Sequence, residues 1–173
     1  DDERARVVRR VCRVSSVFRG ATILWADADP GKTADEREML LRSGVAVEVL
    51  RARDKALAMF TEGGHDAMIV ILRRRGAAAI LKLVAEASRR TPDRPIILYA
   101  YPGYDTATTP PGAFAVTDRP DELLHCVADA LERARAHPRA VHGGRLRRPL
   151  RPDHDVSRVG SPSPHQREPP ARR

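Results

Sequence analysis

The sequence predicts an α/β fold of the flavodoxin-like type, with a doubly wound sheet of five parallel strands in the order 2-1-3-4-5. Two observations carry this prediction. Short apolar runs that fit strands alternate with longer segments of helical periodicity, and one run, Ala67–Leu72, is apolar throughout, as in a strand covered on both faces. Alternating strands and helices indicate βαβ units with right-handed crossovers, and therefore a parallel sheet.

The first strand–helix unit begins at Ala21–Ala26, an apolar run that stops at acidic residues. The helix that follows carries Asp35 and Glu36 in its first turn, where carboxylates interact favourably with the helix dipole. Gly44 closes that helix, because glycine accommodates the left-handed backbone found at helix C-termini. The second strand, Val45–Leu50, follows directly.

The second and third helices flank the apolar run Ala67–Leu72. Asp54 is placed to cap a short helix that ends at Gly63. The third helix is predicted over Ala77–Arg89, and Thr91 begins the segment that breaks it. The predicted inward residues are Ala56, Leu57 and Phe60 in the second helix, and Ile80, Leu83, Val84 and Ala87 in the third.

The last part of the domain predicts two further strands and one helix. Pro95–Tyr99 is the fourth strand and Ala113–Val116 a short fifth strand. Between them, Tyr101–Gly112 is rich in proline, glycine and threonine and has no helical period, which favours a loop where a fourth helix would otherwise lie. The last helix is predicted over Asp121–Ala136. Its predicted inward residues are Leu124, Val127, Ala128 and Leu131.

Charge and composition divide the chain into three parts. Residues 21–136 hold most of the apolar side chains and are the predicted folded unit. Residues 1–20 are interpreted as a basic leader or as the end of an upstream helix, and a start at Asp1 without methionine favours a fragment of a longer protein. Residues 137–173 are rich in arginine and proline, so we expect a disordered tail. Most of the net charge of +8 lies outside residues 21–136.

Several function classes are disfavoured by composition. Two cysteines, Cys12 and Cys126, provide neither a disulfide framework nor metal-ligand spacing, which favours a reduced intracellular, cytoplasmic setting. No apolar run approaches the roughly 18 residues of a membrane span, and the acidic N-terminus does not resemble a signal peptide. The six histidines show no nucleophile–base spacing, so we predict neither an enzyme nor a cofactor.

Motifs near both ends of the predicted domain resemble response-regulator receiver domains. Ile23–Pro30 (ILWADADP) is similar to the strand and acidic pair that open receivers, especially a divergent group with an Ile-Leu-Trp-Val-Asp-Asp-Asn-Pro type run. Ile97–Ala100 resembles the fourth strand of that group, and Gly112–Pro120 (GAFAVTDRP) resembles its last strand. The resemblance covers about residues 21–136 and implies a receiver-like fold.

The resemblance also implies that phosphotransfer has been lost. In receivers an Asp at the end of strand 3 accepts phosphate, and an acidic pair after strand 1 holds Mg²⁺. Here the acceptor position falls on Ile71, and the acidic pair falls on Asp27 and Ala28, with Asp29 adjacent. The Ser or Thr of strand 4 falls on Ala100, and the Lys of strand 5 is Arg119. The resemblance therefore implies a pseudo-receiver without a phosphoacceptor.

Two interpretations of the remaining polar residues are open. Asp27 and Arg119 could pair with each other at the strand ends, or Asp27, Asp29 and Arg119 could form a residual acidic or anion pocket in which Asp27 and Asp29 are remnants of a metal site. In receivers the face formed by strands 4 and 5 contacts partners. Exposed tyrosines at 99, 101 and 104 would suit a protein interface there, against ordinary loop packing.

A competing motif lies in the first loop. Residues 26–33 (ADADPGKT) match a loosened P-loop with Ala in place of the first Gly, between a strand and a helix. A phosphate cradle needs inward N–H groups and no nearby negative charge, whereas Asp27 and Asp29 lie in this loop and Pro30 removes a donor. Nucleotide binding is therefore the third hypothesis.

The leading hypothesis is a non-catalytic pseudo-receiver that acts in signalling through protein–protein interaction. The alternative is a nucleic-acid-binding protein that uses its arginine-rich tails, whose affinity would come from phosphate contacts and fall steeply with salt. No membrane partner is predicted.

Overall fold

The computed structural model describes residues 16–101 and 103–136 of the 173-residue chain. Five parallel strands form one sheet in the order β2-β1-β3-β4-β5, which confirms the predicted topology. The strands are β1 (Thr22–Ala26), β2 (Ala46–Leu50), β3 (Ala67–Leu72), β4 (Ile96–Ala100) and β5 (Ala115–Thr117).

Four helices cover the two faces of this sheet. They are α1 (Ala34–Arg42), α2 (Arg53–Glu62), α3 (Ala77–Arg90) and α4 (Pro120–Ala136), and a 3₁₀ turn, Pro30–Thr33, lies between β1 and α1. Buried side chains of α2 and α3 pack on one face, and those of α1 and α4 pack on the other. Because β3 lies at the centre of the sheet, all six of its residues are buried, as its continuous apolar pattern predicts.

Three details of the predicted helices are wrong. The N-cap of α2 is Ala52, and Asp54 lies inside the first turn, because the helix begins two residues earlier than an N-cap at Asp54 implies. Leu83 is exposed, since α3 buries the narrower stripe of Ile80, Val84 and Ala87. In α4 Leu123 is fully buried and Leu124 only partly, so the buried stripe lies one residue earlier at the start of the helix.

The connection from β4 to β5 contains no helix in its described residues, 101 and 103–114, in agreement with the loop prediction. It rests against α3 at Gly112, which has a φ of +86°. A Cβ added to Gly112 would lie 2.7 Å from the Cα of Ala85, so only glycine allows this approach. The strand that follows begins at Ala115, two residues later than predicted.

The packed unit begins before the predicted boundary at Ala21. Residues 16–18 are helical, and Val17 and Phe18 are buried in the core on the α1/α4 face of the sheet. Arg135 of α4 donates hydrogen bonds to the carbonyl oxygens of Ser16 and Arg19. Residues 1–15 and 137–173, and with them the remainder of the predicted leader and tail, lie outside the described residues.

No helix within the described part of the chain combines the length and the apolar character that crossing a membrane requires.

Candidate functional site

The candidate site lies where β1 ends, at the carboxyl edge of the sheet. Asp27 follows β1 directly, and its side chain is fully buried. Its Oδ1 accepts a hydrogen bond from the backbone N–H of Asp29 at 2.9 Å, and its Oδ2 accepts one from the Thr33 hydroxyl at 2.8 Å. The 3₁₀ turn Pro30–Thr33 brings Thr33 back towards the strand end. The loop thus folds around the carboxylate of Asp27 and satisfies both of its oxygens locally.

A guanidinium group from the neighbouring strand completes the pocket. Arg73 follows β3, and its Nη2 lies 3.2 Å from Oδ1 of Asp27 and 3.4 Å from the carbonyl oxygen of Asp29. Its Nη1 lies 3.8 Å from Oδ2 of Asp29, and the group stacks 4.5 Å from the ring centroid of Tyr101. Arg73 therefore balances both aspartates from a half-buried position, where the side chain is 24% exposed.

The role of Arg73 was not predicted from the sequence. The signal was present: β1 and β3 are neighbours in the predicted order, so the residues that follow them meet at one edge. Arg73 begins a run of three arginines directly after β3. In a chain with 31 basic residues, however, a single arginine is weak evidence for a site.

A second arginine supports the loop from the side of α1. Arg37 donates hydrogen bonds to the carbonyl oxygen of Pro30 at 2.6 Å, and to the carbonyl and hydroxyl oxygens of Thr33 at 3.1 and 2.8 Å. The Thr33 hydroxyl thus accepts from Arg37 and donates to Asp27. The Arg37 guanidinium also lies 5.9 Å from the ring centroid of Trp25, which is fully buried.

These residues do not fit a divalent cation. Mg²⁺ requires several oxygen ligands in near-octahedral geometry. Asp27 has both oxygens engaged, Ala28 offers no ligand, and the Arg73 guanidinium lies beside the one further carboxylate, Asp29. Among residues 16–101 and 103–136, no group of three or more acidic, His or Cys side chains could hold a metal ion.

Ile71 lies in the core beside this pocket. The register pairs Ala26 with Val70 and Ile71 with Tyr99, so Ile71 stands next to the point where Asp27 leaves β1. Its side chain is fully buried in the same cluster as Trp25. No residue of β3 carries a carboxylate.

The predicted pair between Asp27 and Arg119 is not formed. The Arg119 side chain is 61% exposed, and its guanidinium lies 2.7 Å from Oδ2 of Asp121 and 3.0 Å from Oε1 of Glu122. Because α4 begins at Pro120, the two carboxylates of its first turn lie immediately beside Arg119. Its guanidinium lowers the pKa of Asp121 through a hydrogen bond. The residual pocket therefore consists of Asp27 and Asp29 with Arg73 in place of Arg119.

The three tyrosines do not form an exposed cluster. Tyr99 is buried against Trp25, with ring centroids 6.5 Å apart, and its hydroxyl donates to Oε1 of Glu36 at 2.9 Å. Burial raises the pKa of Tyr99, and the carboxylate of Glu36 raises it further. Tyr101, which stacks on Arg73, and Tyr104 are half-buried. The interface prediction is thus wrong for Tyr99, because its position in β4 points the side chain into the core.

The loosened P-loop motif does not form a phosphate cradle. Lys32 Nζ lies 3.3 Å from Oδ2 of Asp29, and the backbone N–H of Lys32 donates to the carbonyl oxygen of Asp29. The backbone N–H of Asp29 is used by Asp27. The lysine and two N–H groups of the loop therefore serve its own acidic residues.

Comparison with known proteins supports the fold. No protein-family model matches the sequence, and no curated protein matches it. A response regulator receiver domain from Clostridium thermocellum has a TM-score of 0.57 at 19% identity, covering 68% of this chain and 99% of that one. The response regulator TrrA from Thermotoga maritima, solved with Mg²⁺ and BeF, has a TM-score of 0.54 at 24% identity, covering 64% and 98%.

A third structure is the complex of histidine kinase ThkA with TrrA, which matches with a TM-score of 0.50 at 24% identity over 64% of this chain and 98% of that one. The chain thus has the fold of response regulator receiver domains.

Proposed function

We propose that this chain is a pseudo-receiver, a non-catalytic, cytoplasmic signalling module that acts by binding other proteins and does not accept a phosphoryl group on aspartate. The observation that carries the proposal is the contact of Arg73 with Asp27. A guanidinium stands 3.2 Å from the buried carboxylate, so the charge of the pocket is balanced by the chain itself. The pocket then has no need of a metal ion.

The neighbouring positions support the same proposal. Phosphotransfer to a receiver-like strand 3 requires a carboxylate at its end, and an isoleucine side chain has no atom that can accept a phosphoryl group. Ile71 fills this position, and burial in the core stabilises it there. Arg119, which corresponds to the phosphate-binding lysine in the resemblance, is held by Asp121 and Glu122. Asp27, Ile71 and Arg119 thus occupy three of the functional positions that the resemblance implies, and all three side chains make structural contacts within the domain.

The protein partner is proposed to bind at the β4–β5 side of the domain. TrrA, a relative in fold, is known in complex with a histidine kinase. In this chain β5 is short and lies at the edge of the sheet, and the loop before it carries no helix in its described residues. Phe114 on the α1/α4 face and Tyr104 and Val116 on the α2/α3 face are half-buried against the core, so each face keeps some exposed apolar surface beside this edge. The nucleic-acid alternative that uses the tails concerns segments outside the described residues.

The first experiment incubates the full chain with acetyl phosphate and Mg²⁺ and measures its intact mass. We expect no change in mass, because β3 offers no carboxylate. TrrA, treated in parallel, serves as the positive control. A phosphoryl adduct on this chain would contradict the proposal.

A second experiment tests whether Arg73 takes the place of a metal ion. Millimolar Mg²⁺ should leave the melting temperature of the wild-type chain unchanged. Arg73→Asn removes the guanidinium and leaves Asp27 without its charged partner, which should lower the free energy of unfolding by about 1–3 kcal/mol. Mg²⁺ should then restore part of that loss by binding Asp27 and Asp29.

The matched control is Arg75→Asn, which removes an exposed arginine from the same loop. This variant should keep the wild-type melting temperature and stay insensitive to Mg²⁺. If Mg²⁺ stabilises the wild-type chain as well, the pocket still holds a metal and the proposed role of Arg73 fails. If Arg73→Asn melts like the wild type, the contact with Asp27 does not stabilise the pocket.

A further inference from the structure

The carboxyl edge of the sheet carries a concentration of cations without acidic partners. On the β2 side these are Arg51, Arg53 and Lys55, and on the β3 side they are Arg74 and Arg75; together they are called the basic edge. Their side chains make no hydrogen bond or ion pair with any other described residue. All are exposed except Arg53, which is half-buried and whose Nε has no hydrogen-bond partner.

Elsewhere on the described surface, most arginines are paired. Arg42 pairs with Glu38, Arg90 with Glu86, and Arg119 with Asp121. Away from the basic edge, Arg19 and Lys82 are the described cations whose side chains make no hydrogen bond or ion pair with another described residue. Asp27 and Asp29 at the same end of the sheet already pair with Arg73 and Lys32. The acidic residue nearest in sequence to the five cations of the basic edge is then Asp54. The basic edge is therefore a local excess of positive charge, although residues 16–136 as a whole hold 17 basic and 17 acidic residues.

The backbone adds to this positive potential. Helices α2 and α3 both begin at the carboxyl edge and pack on the same face of the sheet. Neither has a side chain that caps its N-terminus: the N-cap residues are Ala52 and Gly76. The positive ends of two helix dipoles thus lie beside the unpaired cations.

We infer that the basic edge binds the phosphate backbone of a nucleic acid. The sheet order places β2 and β3 on either side of β1, so the two strand ends that precede these cations are two strand spacings apart, about 10 Å. An array of this width contacts several phosphates of a polyanion, whereas a single small anion would contact one group. Four of the five cations are arginines, whose guanidinium fork matches a phosphate.

The charge of the whole chain favours a nucleic acid over an acidic segment of a protein. Residues 1–15 contain five arginines and three acidic residues, and residues 137–173 contain nine arginines and three acidic residues. Both segments are therefore net basic in composition, and a nucleic acid carries a long, dense run of negative charge, at one charge per about 1.7 Å of duplex. Since no groove-reading helix or exposed aromatic side chain accompanies the basic edge among the described residues, binding is expected to be independent of sequence.

The test measures binding of the full chain to a fluorescent 20-base-pair DNA duplex by anisotropy over a series of salt concentrations. The edge variant combines Arg51→Gln, Arg74→Gln and Arg75→Gln. The control variant removes three charges away from the edge, by Arg19→Gln, Arg42→Gln and Lys82→Gln. All six positions are exposed, and melting temperatures verify that both variants fold.

We expect the edge variant to lose at least tenfold in affinity and to reduce the slope of log K against log salt by about 2–3, close to one for each lost phosphate contact. The control variant should keep most of the affinity and of the slope. Equal losses in both variants, or no loss in the edge variant, would overturn the inference and assign binding to general charge or to the flanking segments.

Poly-L-glutamate is the competitor. If it displaces the duplex at an equal concentration of charge, the partner class is an acidic polypeptide, and the nucleic-acid assignment is overturned.

Discussion

Arg73 determines the charge balance of the pocket around Asp27. Its guanidinium contacts Asp27 and Asp29 together and stacks on Tyr101, which a lysine ammonium could not reproduce because it lacks both the fork and the planar face. Ala28 offers no ligand for a cation, and Arg73 supplies a cation of its own. The pocket is therefore a structural ion pair.

Tyr99 gives a residue-scale prediction about pH. Its pKa is raised above the ordinary value of about 10 by burial and by Glu36. Below pH 10 both the folded and the unfolded chain keep the hydroxyl protonated. As the pH rises above 10, the unfolded chain loses this proton and the folded chain keeps it, so the free energy of unfolding falls by up to about 1.4 kcal/mol per pH unit.

The measurement is urea unfolding of the wild type and of Tyr99→Phe between pH 8 and 11. At pH 8 the variant should be about 1 kcal/mol less stable, because it lacks the hydrogen bond to Glu36. The difference should shrink towards pH 11, since only the wild type loses stability through this hydroxyl. A constant difference between wild type and Tyr99→Phe across this range would contradict the prediction.

At the scale of elements, the connection between β4 and β5, which has no helix in its described residues 101 and 103–114, makes a close backbone contact with α3. The loop approaches α3 at Gly112, where the space for a side chain is filled by the backbone of Ala85. The sequence pattern predicts that this segment is not helical, because prolines and threonines interrupt any helical period. It cannot predict the docking position, since that depends on the distance between two backbones that are remote in sequence.

Gly112→Ala tests this contact. The substitution forces an alanine into a φ of +86° and places its Cβ 2.7 Å from the Cα of Ala85, so we expect a loss of about 2–4 kcal/mol in urea unfolding. Gly103→Ala is the matched control: Gly103 lies in the same loop at a φ of +92°, with no atom within 4 Å of the added Cβ. That variant should lose only about 1–2 kcal/mol, from backbone strain. Equal losses would mean that the loop does not rest on α3.

For the whole molecule, the sequence predicts the fold better than the site. Strand boundaries lie within two residues of the prediction, because each strand is a separate apolar run bounded by turn residues. The partners of Asp27 and Arg119 are not predicted correctly. Arg119 lies next to the start of α4, where Asp121 and Glu122 are close in sequence. An ion pair with these two neighbours competes with an ion pair to Asp27 across the sheet. Apolar periodicity carries no information about that competition.

The start of the folded unit is the other feature of the whole molecule that the sequence pattern did not predict. The sequence predicts a basic leader or the end of an upstream helix before Ala21, yet residues 16–18 are helical and Val17 and Phe18 are buried in the core on the α1/α4 face of the sheet. A chain shortened to begin at Ser16 keeps both of these side chains and is the reference. One shortened to begin at Ala21 should lose about 3–5 kcal/mol, the value of burying two such side chains. The second chain also lacks the two carbonyl oxygens that accept from Arg135, so α4 should fray at its C-terminal end and exchange its amide hydrogens faster there. Equal stability of the two shortened chains would place the boundary at Ala21 after all.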